Sequence, residues 1–213
     1  MKTISSLLLL LVVSVSCIQK ESAVTTEKMP VEKVSEDTLT PTSHHTDKED
    51  MSIIPLSIRI LNSLQKKNYD EFTEYIHPEK GVRFSMYAYV DSGKNKVFSR
   101  EDFQKYIRSD IRFTFGEKGG TGEKYVVLLG KYIQEWVLKR DFSEAELLLN
   151  TFKGEGNSLN NLNEIYPNSE FVEFYISGTE QYSGMDWNAL RLVFEKRDGK
   201  YYLIAIINDQ WTI

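Results

Sequence analysis

The sequence predicts an α+β domain with N-terminal helices packed on a curved antiparallel sheet. Three observations predict it. Two segments with apolar residues at helical spacing come first, between Pro55 and Ile76. Two long apolar runs close the chain, joined by Arg197-Asp198-Gly199-Lys200. Every Phe, Tyr and Trp lies at or after Tyr69, so the material for a core is gathered in one stretch. Helices first and long antiparallel strands last is the order of an α+β fold, and 51–213 has the length of a single domain.

Pro55 suits a first helical turn, and Leu56, Ile60, Leu61 and Leu64 form one stripe. Lys66-Lys67 place positive charge at the helix's negative end. Asn68 with Glu71 reads as a capping box for a second helix, with Tyr69, Phe72, Tyr75 and Ile76 inward. His77-Pro78 stops it, because the residue before proline avoids helical angles. After the Glu79-Lys80-Gly81 turn, Val82–Val90 reads as one strand. Its alternation puts Val82, Phe84, Met86, Ala88 and Val90 on one face and Arg83, Ser85, Tyr87 and Tyr89 on the other. Ser99 with Asp102 starts a third helix. The Phe113 region and Tyr125–Leu129 read as short strands, Lys131–Leu138 and Ser143–Leu149 as helical, and Gly154–Asn163 as a Gly/Asn loop. Phe171–Ile176, Leu190–Lys196 and Tyr201–Trp211 are strands, and Asp198-Gly199 is a strong hairpin signal. With a two-residue loop, Phe194 faces Leu203, Leu192 faces Ala205 and Leu190 faces Ile207. Arg191 then faces Ile206.

The N-terminal fifty residues carry a different message. Lys2 precedes an apolar run, Leu7–Val15, interrupted by Ser14 and followed by Ser16 and Cys17. This is the layout of a secretory signal. The run falls short of the roughly 20 residues a membrane span needs. Cys17, the only cysteine, follows a small residue, and this stretch resembles the bacterial lipoprotein box. The resemblance implies a signal over 1–16, acylation of the Cys17 thiol, and a chain held on a membrane by its lipid. The usual leucine three residues before the cysteine is here Ser14. The alternative is an ordinary secretory signal with an incidental cysteine, a liability in an oxidising compartment. Gln19-Lys20-Glu21 is similar to the signal that sends lipoproteins to the cell surface in certain Gram-negative bacteria, which implies the outer membrane and surface exposure. The segment 17–50 lacks aromatics and is polar, so it buries too little apolar surface to order itself. It reads as a disordered tether reaching on the order of 30 Å. His44-His45 within it are solvated residues rather than a metal site.

The formal charge of −5 argues against nucleic acid as a partner, since phosphate-backbone binding needs a basic face. With Cys17 acylated there is no thiol left for a disulfide, a zinc-cysteine cluster or a nucleophile. No cofactor motif or metal-ligand cluster appears. Phe115–Lys124, "FGEKGGTGEK", fits neither common phosphate-loop spacing and reads as a mobile hairpin or pocket lid.

The order of elements in 51–213 resembles the NTF2-like cone, a family in which a pocket opens between the sheet's concave face and the helices. Two stretches, "HPEKGVRFS" at 77–85 and "NDQWTI" at 208–213, are similar to segments of an uncharacterised family of bacterial secreted proteins and lipoproteins. Some members of that family have histidine where this chain has Asn208. That resemblance implies no known activity.

Several residues are candidates for chemistry, each with a structural alternative. His77, the only histidine of the domain, has the pKa range of an acid or base, or it satisfies the last carbonyls of a helix. Asp209 and Asp186 are candidate general-base carboxylates, or structural hydrogen-bond acceptors. Arg83 and Arg191 are candidates for gripping an anionic ligand, or for pairing with a carboxylate such as Glu173. Tyr87, Glu173 and Trp211 are candidates for lining a ligand site, the two aromatics otherwise belonging to a core with polar edges. Two function classes follow. The preferred one is an envelope lipoprotein serving as a non-catalytic binding or interaction module, with the membrane and a small ligand or envelope protein as partners. The other is an NTF2-like small-ligand carrier or pocket enzyme with His77, Arg83, Arg191 and Asp209 around its cavity. No convergent catalytic set supports an enzyme.

Overall fold

The computed structural model describes residues 53–212. Cys17, the signal and tether readings and His44-His45 lie outside the described residues. α1 (Ile53–Gln65) buries Ile53, Ile60, Leu61 and Leu64, with Leu56 at its margin. Two buried serines on this helix return their hydroxyl protons to carbonyls one turn back, Ser57 to Ile53 and Ser63 to Ile60, so no polar group is stranded. Lys67, at φ 56°, ends α1. α2 (Tyr69–Tyr75) starts on Asn68, whose Oδ1 accepts from the Glu71 amide while its Nδ2 donates to the Glu71 carboxylate. α3 (Arg100–Tyr106) is capped by the Ser99 hydroxyl, which accepts from the Asp102 amide.

Eight strands accompany these helices, β1 and β2 lying between α2 and α3 in the chain and the rest after α3: β1 (Val82–Ser85), β2 (Lys96–Phe98), β3 (Arg112–Glu117), β4 (Lys124–Leu128), β5 (Glu146–Leu149), β6 (Glu170–Ile176), β7 (Asn188–Arg197) and β8 (Lys200–Gln210). Six form one sheet in the order β2-β1-β8-β7-β6-β5, antiparallel except where β1 runs parallel to β8. β3 and β4 form a separate hairpin. The molecule is thus a mixed α+β fold with helices packed on a mostly antiparallel sheet. Leu190, Leu192, Phe194, Leu203 and Ile206 share one core with α1, α2 and α3. A second, smaller core lies on the other sheet face, where Phe171, Val193, Ala205 and Ile207 are covered by the strap 150–166 through Phe152, Leu162, Ile165 and Tyr166.

Three expectations from the sequence are corrected. The Val82–Val90 strand ends at Ser85. The Ser85 hydroxyl lies 2.8 Å from the Tyr87 carbonyl and 3.1 Å from that of Tyr89, which bends the chain away, although Met86, Ala88 and Val90 remain buried. Ser143–Leu149 is not helical: Glu146–Leu149 is an edge strand on β6, with Leu147 opposite Phe174. The isolated apolar triplet carries no helical period strong enough to outweigh pairing with an exposed sheet edge. Lys131–Leu138 does coil, first as α4 (Leu129–Tyr132) and then as a wider turn in which the Leu138 amide reaches the Ile133 carbonyl.

The third correction concerns register. Asp198-Gly199 forms the two-residue loop and Phe194 does face Leu203. Beyond that pair Ile204 is an extra residue, so Leu192 faces Ile206, Arg191 faces Ile207 and Leu190 faces Asn208. A one-residue shift exchanges sheet faces. It moves Asp209 onto the face of Arg191 and sends Asn208 to the helix side.

Candidate functional site

On the strap side of the sheet, Arg191 and Glu173 are fully buried and Asp209 is 2% exposed. Glu173 and Arg191 are cross-strand partners. Arg191 Nε donates to Glu173 Oε2 at 2.7 Å, and its Nη2 donates to Asp209 Oδ2 at 2.9 Å and to the Gly154 carbonyl at 2.7 Å. Glu173 Oε1 accepts from the amides of Lys153 and Gly154, each at 2.8 Å. The Phe152 ring lies 4.9 Å from the guanidinium carbon. The cluster therefore fastens strap residues 152–154 to the sheet. Gly154 is required there, since a Cβ would sit 2.7 Å from the Ala189 Cβ and from Trp187 Cζ3. Asp209 Oδ1 and Arg191 Nη1 have no hydrogen-bond partner among the described residues. Burial raises the Asp209 pKa to about 6, against the lowering pull of Arg191. Asn188 donates to Asn208 Oδ1, and Asn208 to the Met86 carbonyl, so position 208 works as a structural link.

The other candidates lie apart from this cluster. His77 is buried, and its Nδ1 accepts from the amides of Glu79 at 3.2 Å and Lys80 at 3.0 Å. That pattern places the neutral ring's proton on Nε2, 3.9 Å from Glu195. Burial lowers its pKa, with Glu195 pulling the other way. Arg83 is spent on the Tyr166 hydroxyl at 3.0 Å and the Ser92 carbonyl at 3.1 Å. Asp186 closes the 179–186 loop, accepting from the Thr179 amide at 2.6 Å and hydroxyl at 3.1 Å; the amide hydrogen bond is the main cause of its lowered pKa. Trp211 is 42% exposed at the end of β8. The expected ring of His77, Arg83, Arg191 and Asp209 around one cavity does not form, because Arg191 and Asp209 face the strap rather than the helices. Among the described residues no three His, Cys, Asp or Glu side chains gather as a metal site, and no helix is long and apolar enough to cross a membrane.

Of the predicted ligand residues, Tyr87 alone lines an open cleft. This cleft, of about 600 Å³, lies between the 85–96 segment and the β3–β4 hairpin. Its floor includes Met86 and Phe115, and its rim carries Tyr89, Lys94, Lys96 and Lys124. A shallower groove of about 370 Å³ continues past Tyr87 and Tyr89 toward Gly119, Leu159 and Thr212. The walls are pinned. Arg83 holds the Ser92 carbonyl, Asp91 Oδ1 accepts from the Gly93 and Lys94 amides, and the Gly119 amide donates to the Tyr87 hydroxyl at 2.8 Å. Tyr87 packs edge-on against Trp136. Sequence reading missed the lysines, because 96 and 124 lie on different sheets and no local motif joins them.

No family model matches the chain, and no curated protein matches it. Among solved structures, Aln2 from a Streptomyces species is 7% identical, with 78% of this chain and 92% of that one covered and a TM-score of 0.35. An NTF-2 like protein of unknown function from Shewanella oneidensis is 12% identical, with 78% and 100% covered and a TM-score of 0.32. With TM-scores this low, neither likeness carries an argument here.

Proposed function

We propose that this protein is a lipid-anchored binding module of the bacterial cell envelope: acylated at Cys17, held off the membrane by the 17–50 tether, and taking a small ligand in the cleft beside Tyr87. We further propose that 51–213 is a cone of the NTF2-like kind, a reading supported by the order of its elements and the packing of α1, α2 and α3 against one face of the sheet. The membership of 51–213 in the secreted and lipoprotein family that shares the 77–85 and 208–213 segments belongs to the same proposal.

The observation that carries the binding reading is the pinned cleft, whose size falls in the range of small-molecule sites. Neither His77 nor the Arg191 cluster lines it. The histidine is committed to its own turn, and the buried arginine is committed to two carboxylates and the strap. The pocket-enzyme alternative needed those charges unpaired and facing a cavity.

Two measurements test the proposal. Labelling with a palmitate analogue in a bacterial host should mark the protein and fail with Cys17→Ser; equal label in both would remove the anchor. A thermal-shift screen of small molecules should yield ligands whose stabilisation is lost with Tyr87→Ala. Stabilisation that survives the substitution would place the site elsewhere.

A further inference from the structure

The cleft and the groove beside it differ in chemistry, and the difference points to a ligand class. At the cleft end, Lys96 and Lys124 make no ion pair among the described residues, while Lys94 stands 4.0 Å from Asp91. Two carboxylates share this rim: Asp91 accepts two backbone amides, and Glu117 stands across from Lys124 in the hairpin register. The three lysines outnumber them, so the rim is net positive in a chain whose formal charge is −5. At the groove end the walls are mainly apolar. Leu159 is 77% exposed and Tyr89 52% exposed, and the arm carrying Leu159 is tied down by Asn157, whose Oδ1 accepts from the Thr212 amide at 3.0 Å and hydroxyl at 2.8 Å. Exposed apolar side chains on a pinned arm stand ready to bury an apolar chain. Tyr87 and Tyr89 line both depressions and join them.

We infer that the two depressions are one site for a single-chain amphiphile with an anionic head group, the head lying at Lys96 and Lys124 and the chain running over Tyr87 and Tyr89 to Leu159. The inference rests on the binding-module reading and adds the ligand's chemistry to it. A bidentate grip is not needed: an ammonium acts on a carboxylate or phosphate as a point charge.

The test uses the full chain carrying Cys17→Ser, so that no attached lipid competes. Equilibrium dialysis compares dodecanoate with the uncharged dodecylglycerol, both below their micelle concentrations. Dodecanoate should bind at one site at least tenfold more tightly. The double variant Lys96→Gln, Lys124→Gln should remove that preference, while Lys96→Arg, Lys124→Arg should keep it. Leu159→Asp should weaken both ligands, with circular dichroism unchanged in every variant. Equal affinity for the two ligands, or a preference that survives the glutamine variant, overturns the anionic head. In a parallel NMR titration, maltotetraose shifting the Tyr87, Tyr89 and Gly119 amides while dodecanoate leaves them still would overturn the amphiphile and keep the cleft. Silence of those amides with all three probes would overturn the cleft reading as well.

Discussion

Arg191 sits between two carboxylates, so the buried cluster carries one negative charge too many when all three groups are ionised. A proton on Asp209 corrects this, and burial lifts its pKa to about 6. In the unfolded chain an Asp titrates near ~3.9. Between those values the folded state holds the extra proton, so this group's contribution to stability falls as pH rises from about 4 to about 6. His77 acts in the opposite sense: its lowered pKa means that acidification through the ordinary histidine range costs stability. The two are separated by difference. Urea unfolding of Asp209→Asn should lose the fall between pH 4 and 6 and keep the histidine-dependent loss on acidification; an unchanged profile would remove the charge account. Arg191→Ala strands two buried carboxylates and should cost about 3–5 kcal/mol in urea unfolding at pH 7.

The hairpin of β7 and β8 shows how a local device sets a long-range contact. Its tip was readable from Asp198-Gly199, both at positive φ, and the Asn68 and Ser99 caps were equally readable, because each rests on residues within four positions. Ser99→Ala should cost about 1 kcal/mol of stability. The bulge at Ile204 was not readable. Nothing in "YYLIAIIN" distinguishes the residue that will go unpaired, since every neighbour is apolar and β-competent. Yet that residue decides whether Asp209 or Asn208 meets Arg191. The strap is the other dependent element. Gly154→Ala forces a Cβ against Ala189 and Trp187 and should cost about 1–3 kcal/mol. Amide exchange at 153 and 154 should rise before exchange in β6 and β7 does, because the strap is fastened mainly at the ion cluster.

For the chain at large, the proposal joins an acylated Cys17, a polar tether and a domain with its cleft. Detergent phase partitioning should place the native protein with the detergent and the unacylated 18–213 chain in water. Limited proteolysis should cut within 18–50 and leave a stable fragment beginning near residue 51; cuts spread through the domain instead would contradict the tether. Of the candidate site residues, the Glu173–Arg191 pairing was already legible as an alternative, since opposite charges on adjacent strands of one face meet once the strands are paired. The cleft was not, because Tyr87, Lys96, Lys124 and Leu159 come from four segments.

What could be read from the amino acids alone is what depends on near neighbours: two capped helices, a Gly-tipped hairpin and the period of the long strands. Those signals act over a few residues, so linear order contains them. The end of β1 at Ser85, the conversion of 146–149 to a strand, the extra residue at 204, and the meeting of three charges under the strap were settled by packing. Each depends on which distant chain lies alongside, and that choice is made by burial of the whole core, where hydrogen-bond satisfaction and sheet register outweigh local preference.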